Sequence, residues 1–162
     1  MTSTPDDDVR WLTAEEQVSW RAYRNGVTLL FDALAHELEA ETGLSVHEYE
    51  VLVRLSEAPA RTLRMSEIAD EIAHSRSRLT HTIRRMEQQG LVERRPCAED
   101  ARGVNCTMTE HGWQTLVAAA PSHVRSVRRH LVDVLTPEQF RAVGEAMGVV
   151  GERLCGGASH PA

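Results

Sequence analysis

The chain has 162 residues, enough for one ordinary domain, and 41% of them are apolar, so a packed core is possible. No apolar run approaches the roughly 20 residues that span a bilayer. The acidic start "MTSTPDDDVR" lacks the positive charge and apolar stretch of a signal peptide, so we expect a cytoplasmic protein of prokaryotic type. The three cysteines are odd in number and form no CxxC pair, so no disulfide framework is predicted.

The net charge of −6 hides an uneven distribution. Residues 61–102 hold nine arginines against seven acidic residues, whereas the remainder holds nine arginines against seventeen acidic residues. A basic middle between acidic flanks is typical of a segment that faces DNA while the outer helices face solvent.

The first predicted helix follows a polar arm, residues 1–12, that we expect to be mobile. Thr13 and Glu16 have the spacing of a capping box, in which each side chain satisfies a free backbone amide at a helix start. The helix then carries an apolar stripe and ends at Gly43. The stripe consists of Trp20, Tyr23, Val27, Leu30, Leu34 and Leu38.

A second capping box, Ser45 with Glu48, predicts a helix that stops before Pro59. A short strand and the short helix "MSEIADEIA" come next. His74 makes a turn, and Ser75 is the predicted N-cap of a basic helix that ends at Gly90.

Two short strands follow, "LVERR" and "VNCTM", around the polar loop "PCAEDARG". Thr109 caps the next helix, whose apolar pattern resumes after Pro121, so we expect a kink there and not an end. Thr136 and Gln139 form a third capping box around Pro137, and the final helix stops at the glycine pair 156–157.

This order of elements predicts a mainly α fold with a small β-wing, a winged helix-turn-helix with dimerisation helices at both ends. The long outer helices must bury their apolar stripes somewhere, and a two-fold partner is the simplest place. The predicted parts are the arm 1–12, a dimerisation helix 13–43, a DNA-binding lobe 44–109, dimerisation helices 110–156 and a tail 157–162.

The basic helix has two distinct faces when residues 75–89 are placed at helical spacing. Leu79, Ile83 and Met86 share the buried face. Polar and basic residues occupy the opposite face and its shoulders: Ser77, Arg78, Thr80, His81, Arg84, Arg85 and Gln88. Charged exposed faces are ordinary in solvated helices, but the preceding short helix and the following hairpin favour DNA recognition here.

The N-terminal half of such a helix reaches base edges in the major groove. Arg76, Ser77, Arg78 and His81 occupy that half, and arginine can bond guanine with two hydrogen bonds. Arg84 and Arg85 lie deeper along the helix, where phosphate contacts are expected.

The hairpin loop carries the triplet Asp100-Ala101-Arg102. An arginine at a hairpin tip can enter a narrow minor groove, where the negative potential is enhanced. Asp100 could hold this guanidinium, although a plain surface ion pair is the alternative. Arg94 and Arg95 on the preceding strand add two further candidate DNA contacts.

These motifs together resemble the MarR family (multiple antibiotic resistance regulators), over about residues 30–154. The resemblance is carried by "MSEIADEIAHSRSRLTHTIRRMEQQGLVERRPCAEDARG" and "MTEHG", with the family's S-R-S turn, GLV.R strand, D-x-R wing and T..G helix start. It implies a dimeric winged-helix repressor that binds pseudo-palindromic double-stranded DNA. It also implies that Ser75–Arg85 read the major groove and Arg102 probes the minor groove.

Such regulators respond to a ligand or an oxidant that changes the spacing of the two recognition helices. Three signals are open. A small aromatic or anionic effector could contact Trp20, Arg24, His36 and Tyr49, although the sequence favours packing in the core or the dimer for these residues. Oxidation of Cys97, which follows Arg94 and Arg95, is the second possibility. Zinc is the third, but no helical His-x-x-x-His pair is present, so no metal or other cofactor is predicted.

An enzyme is not predicted, because the chain has no glycine-rich phosphate loop, HExxH or GxSxG motif. The remaining alternative is a winged helix that docks a protein or binds DNA as an architectural module. The salt dependence of binding separates a DNA partner from a protein partner, because each neutralised phosphate releases counterions.

Overall fold

The computed structural model describes residues 9–71, 76–97 and 103–156, without the side chains of 70, 71, 76–78, 155 and 156. Six α-helices are present in this part of the chain: α1 (Ala14–Thr42), α2 (Val46–Glu57), α3 (Met65–Glu71), α4 (Arg76–Gln88), α5 (Glu110–Val127) and α6 (Pro137–Gly156). Three strands complete it: β1 (Thr62–Arg64), β2 (Val92–Pro96) and β3 (Val104–Met108). The predicted winged-helix order of elements is confirmed.

The predicted helix ends are formed by the expected side chains. Thr13 Oγ1 accepts from the backbone of Glu16, whose carboxylate accepts from the Thr13 backbone in return. Gly43 closes α1 with a φ of 72°, a left-handed conformation that glycine adopts without steric cost. Thr136 and Gln139 make the same reciprocal bonds at the start of α6. The predicted turn at His74 and cap at Ser75 lie outside the described residues.

The three strands form one antiparallel sheet in the order β1-β3-β2. Cys106 in the middle of β3 lies opposite Leu63 of β1 and Arg94 of β2. The β2–β3 hairpin is the predicted wing, and its pairing continues beyond the strands through the Cys97 amide, which donates to the Gly103 carbonyl at 2.8 Å.

The core lies where α1, α2, α4 and the sheet meet, and it extends to α5. The apolar core side chains with 0% exposure are Leu52, Leu55, Ile68, Ile83, Met86 and Cys106. Each leucine or isoleucine of this kind contributes about 1.5–3 kcal/mol of hydrophobic free energy. The winged-helix elements are therefore held together within one chain.

The start of α5 lies unusually close to the backbone of Gly90 and Leu91, which follow α4. The Thr109 hydroxyl donates to the Gly90 carbonyl at 2.7 Å and accepts from the Gly112 amide at 3.0 Å. A Cβ atom on Gly112 would lie 2.2 Å from the Leu91 carbonyl oxygen. The T..G spacing thus reflects a contact that leaves no room for a side chain.

The helix α5 continues through Pro121, as predicted, and passes into one π-helical turn at Arg128–Val132. Two side-chain pairs attach α5 to α1: Ser122 donates to Glu41, and Ser126 donates to Glu37. These contacts hold α5 against the C-terminal half of α1.

Large apolar side chains remain exposed on the outer helices. Leu29 of α1 is 70% exposed and Leu154 of α6 is 72% exposed. Others on the same helices are Val18, Trp20, Tyr23, Phe31, Phe140, Val143, Val149 and Val150. Of the predicted α1 stripe, only its C-terminal members Leu34 and Leu38 are buried in the chain. No helix among the described residues is both long and apolar enough to cross a membrane.

Candidate nucleic-acid interface

The helix α4 has the two faces that the sequence predicts. Ile83 and Met86 are fully buried, and Leu79 is 3% exposed. Thr80, His81, Arg84 and Gln88 are exposed. Because the apolar face is completely covered by the core, the polar face is the one available to a partner.

Several of the predicted contact residues can be placed only in part. Arg76, Ser77 and Arg78 lie in the first turn of α4, but their side chains lie outside the described part of the chain. Ser75, Asp100 and Arg102 lie wholly outside it. Their predicted roles in base and groove contacts therefore stay predictions.

Arg85 is engaged within the protein. Its Nε and Nη2 atoms donate to Glu48 Oε1 and Oε2 at 2.7 and 2.6 Å. The Glu48 side chain is 0% exposed, whereas that of Arg85 is 48% exposed. Burial works to raise the pKa of Glu48, but hydrogen bonds from Arg85 and Ser45 outweigh it and hold the pKa below its ordinary value. Sequence reasoning identified Glu48 only as a capping residue, since nothing in the local pattern reveals a partner 37 residues away.

The strand arginines also have acidic partners. Arg94 donates to Glu87 at the end of α4, from Nε at 2.8 Å and from its backbone amide at 3.0 Å. The hydrogen bond from Arg94 lowers the pKa of Glu87. Arg95 contacts Glu93 at 2.7 Å, yet its side chain is 74% exposed. The Arg94–Glu87 pair fastens the wing to α4, whereas Arg95 pairs within β2 and stays open to solvent.

Two further arginines of the basic segment serve packing. The Arg61 guanidinium lies 4.1 Å from the centre of the Trp113 ring and 3.3 Å from the Glu110 carboxylate. Arg64 Nη2 donates to Cys97 Sγ at 3.7 Å. The excess of arginine in residues 61–102 is thus partly used inside the fold.

Cys97, the predicted redox residue, is half-buried at the end of β2. Among the described residues, Arg64 donates to its sulfur, whereas the preceding Arg94 and Arg95 bond Glu87 and Glu93. Cys106 is fully buried, and burial raises the pKa of its thiol to about 12, which makes it unreactive.

A cavity of about 540 Å³ lies between α1, α2 and α5. Its lining includes Phe31 and Leu34 from α1, Tyr49 and Val53 from α2, and His123 and Val127 from α5. Of the four residues predicted to hold an effector, Tyr49 lines this cavity. The other three do not line it. Trp20 and Arg24 lie in the N-terminal half of α1, where the Trp20 ring stacks on Tyr23, and the His36 side chain is exposed to solvent.

His123 brings a buried imidazole to this cavity. Its ring lies 4.6 Å from the Tyr49 ring, and its buried Nδ1 atom has no hydrogen-bond partner among the described residues. Burial lowers the pKa of His123, which favours the neutral imidazole. In the described ranges, no group of three or more His, Cys, Asp or Glu side chains is placed to hold a metal ion.

A covered helix with a polar outer face, a short helix before it and a hairpin after it define a winged helix-turn-helix protein. A model of the MarR family matches residues 42–103. Sco3205, a MarR family transcriptional regulator from Streptomyces coelicolor solved in complex with DNA, is 44% identical, with a TM-score of 0.87 over 92% of this chain and 93% of that one. The chain belongs to the MarR family and is a transcriptional regulator, not an enzyme.

Two other relatives agree with this assignment. AbsC, also a MarR family regulator from Streptomyces coelicolor, is 42% identical over 91% of this chain and 99% of its own, with a TM-score of 0.85. The HTH-type transcriptional regulator PecS of Dickeya dadantii (strain 3937) is 30% identical over 112 residues, which cover 68% of this chain and 65% of PecS.

Proposed function

We propose that the protein is a homodimeric repressor that binds a pseudo-palindromic operator in the cytoplasm and is released by a small-molecule or stress signal. The observation that carries this proposal is the orientation of α4. Its apolar side chains Leu79, Ile83 and Met86 are buried in the core, while His81 and Arg84 face solvent. A relative at 44% identity was solved with DNA, which supports the same kind of partner here.

The base-reading residues of this proposal are Arg76, Ser77, Arg78 and His81, helped by Thr80. Arg84, which is exposed about two turns beyond Arg76 along α4, fits a phosphate contact. Arg102 would enter the minor groove with Asp100 holding its guanidinium, and the exposed Arg95 lies on the same wing. This arrangement uses both grooves.

The dimer would form through the outer helices. The exposed large apolar side chains of α1 and α6 are more numerous than the single apolar residues usual on a monomer surface. An isologous pairing of these helices would bury them and bring two copies of α4 to two half-sites of one duplex. This gives the division into a lobe at 44–109 and dimerisation helices at 13–43 and 110–156.

The effector would occupy the cavity between α1, α2 and α5. Its lining combines apolar side chains with the charged residues Glu50, Arg54 and Glu57, which suits a small aromatic molecule with a polar group. His123 Nδ1, which has no partner among the described residues, is available to hydrogen-bond it. Tyr49 directly follows Glu48, whose carboxylate holds Arg85 of α4. A ligand that moves this turn of α2 would therefore also shift α4 through the Glu48–Arg85 pair.

The test is fluorescence anisotropy with a duplex that the protein enriches from a random-sequence pool, against a scrambled duplex, over a salt series. We expect preference for the enriched duplex and a steep loss of affinity with salt, because each phosphate contact changes the logarithmic slope by about 0.9. Arg102→Ala should weaken binding by about 1–3 kcal/mol with the dimer intact. Equal binding to both duplexes would indicate an architectural role, and no binding at low salt would indicate a protein partner.

A further inference from the structure

The ion pair between Glu48 and Arg85 connects two elements with different tasks. Glu48 lies in the first turn of α2, and Arg85 lies in the last turn of α4. Both carboxylate oxygens accept from the guanidinium, in the paired geometry that fixes direction as well as distance. A contact of this kind restrains how α4 is rotated against α2.

Glu48 is itself held firmly in place. Its Oε2 atom accepts from the Ser45 backbone amide at 2.9 Å and from the Ser45 hydroxyl at 2.8 Å. Its side chain is completely buried. The carboxylate is therefore an oriented anion, anchored to the start of α2 before it contacts α4.

Apolar packing alone would fix α4 less closely. Ile83 and Met86 hold the helix against the core, but hydrophobic attraction has no preferred direction. His81 and Arg84 lie on the same helix as Arg85, within one turn of it. Any rotation of α4 that the Arg85 pair prevents would shift these two side chains relative to a DNA groove.

We propose that Glu48 is a positioning residue for DNA recognition, and that Arg85 acts mainly by holding α4 to Glu48 and not as a phosphate contact. The proposal rests on the proposed function, in that α4 must be the helix that faces DNA. It gives α2 a part in sequence reading through the ion pair that Glu48 forms with Arg85 of α4.

The decisive variant is Glu48→Gln. Glutamine keeps the capping box, since glutamine and glutamate both serve at this position, but it removes the charge that Arg85 requires. Glu16→Gln is the matched control, because Glu16 holds the same position in the capping box of α1 and is exposed. Arg85→Lys and Arg85→Gln complete the set, because lysine still binds phosphate but cannot form the two-pronged contact.

Fluorescence anisotropy measures the affinity of each variant for the enriched and scrambled duplexes. The measurements are made well below the melting temperature of each variant. We expect Glu48→Gln to weaken binding to the enriched duplex by about 2- to 30-fold, the range of mutations that act through a coupled element. Binding to scrambled DNA and the salt slope should stay unchanged, and Glu16→Gln should match the wild type. Arg85→Lys should lose as much as Arg85→Gln, and the double variant with Glu48→Gln should lose no more than either single variant.

Other results overturn the proposal. If Arg85 contacts phosphate, Glu48→Gln frees it and leaves or strengthens binding, Arg85→Lys keeps most of the affinity, and Arg85→Gln lowers the salt slope by about 0.9. If Glu48→Gln does not fold, the two Arg85 variants alone decide. If the wild type enriches no duplex, the proposed function fails and this inference fails with it, whereas wild-type binding that Glu48→Gln leaves intact contradicts the positioning role alone.

Discussion

The winged-helix lobe and the outer helices of this protein use similar apolar residues in different ways. Leu52 and Leu55 in the lobe are 0% exposed, whereas Leu29 on α1 and Leu154 on α6 are 70% and 72% exposed. The lobe completes its core within one chain, but the outer helices carry apolar surface that the chain does not cover. The buried core thus lies mainly in the lobe, and the exposed apolar surface supports the proposal that the outer helices associate with a second copy of the chain.

The largest expected effect tests the lobe side of this comparison. Leu52→Ala removes a fully buried side chain and leaves a cavity, so it should lower the free energy of unfolding by about 2–5 kcal/mol. Chemical denaturation measures this, and the loss should not depend on protein concentration. The same change at Leu154 should alter the stability of the single chain by less than about 0.5 kcal/mol. A loss at Leu154 that equals the loss at Leu52 at every concentration would contradict the division.

The second prediction concerns the junction between the lobe and α5. Gly112→Ala places a Cβ atom against the Leu91 carbonyl, so we expect a loss of about 1–3 kcal/mol in the free energy of unfolding. Gly26→Ala in α1 is the matched control, because nothing lies within 4 Å of the added atom. Alanine is the better helix former, so Gly26→Ala should be neutral or slightly stabilising. Thermal unfolding of both variants tests the contact, and equal melting temperatures would show that the backbone at Gly112 can yield.

The third prediction tests association. Val143→Asp places a charge on the exposed apolar face of α6 and should weaken the dimer by at least about 1 kcal/mol. Sedimentation equilibrium measures the dissociation constant. Val104→Asp is the control, because Val104 is 41% exposed, close to the 44% of Val143, but lies on the wing. An unchanged constant for Val143→Asp, or a monomeric wild type, would remove the dimer model.

The smallest effect concerns a contact within the outer-helix region, between α1 and the C-terminal end of α5. Glu37 of α1 accepts from Ser126 and lies 2.8 Å from His130 Nε2. These hydrogen bonds lower the pKa of Glu37 from 4.5 to about 2. Because the folded pKa is depressed, this carboxylate stabilises the fold above pH 4.5, and the contribution is lost as the pH falls from 4.5 towards 2.

Glu37→Gln should therefore flatten the dependence of stability on pH in that acidic window and lower stability at neutral pH. Urea unfolding over a pH series reads both effects, with Glu145→Gln on the exposed surface of α6 as the control. If the free energy of unfolding falls equally in the wild type and in Glu37→Gln as the pH is lowered from 4.5 towards 2, the hydrogen bonds of Glu37 contribute little to stability.

Much of the fold could be predicted because its signals are local. The capping boxes at Thr13, Ser45 and Thr136 and the glycine stops at Gly43 and Gly90 each act over a few residues, and the structure has them where the sequence indicates. The buried side of α4 was also predictable, since helical spacing alone brings Leu79, Ile83 and Met86 together.

The candidate site was predictable only in part, for a physical reason. Counting arginines in residues 61–102 indicates a basic surface, but it does not reveal which cations already have a carboxylate or an aromatic ring beside them. Arg85, Arg94 and Arg61 prove to contact Glu48, Glu87 and Trp113. Those partners come from other elements of the fold.

The amino-acid sequence by itself determined the helix limits at the capping boxes and glycine stops, the buried face of α4 and the family, because these depend on spacing and local hydrogen bonds. Only the tertiary structure decided that Glu48 and Arg85 form a pair across 37 residues, and that Gly112 touches the Leu91 carbonyl. It also decided which half of the α1 stripe is buried. Such contacts depend on how separate elements pack in space, and no periodicity along one element contains that information.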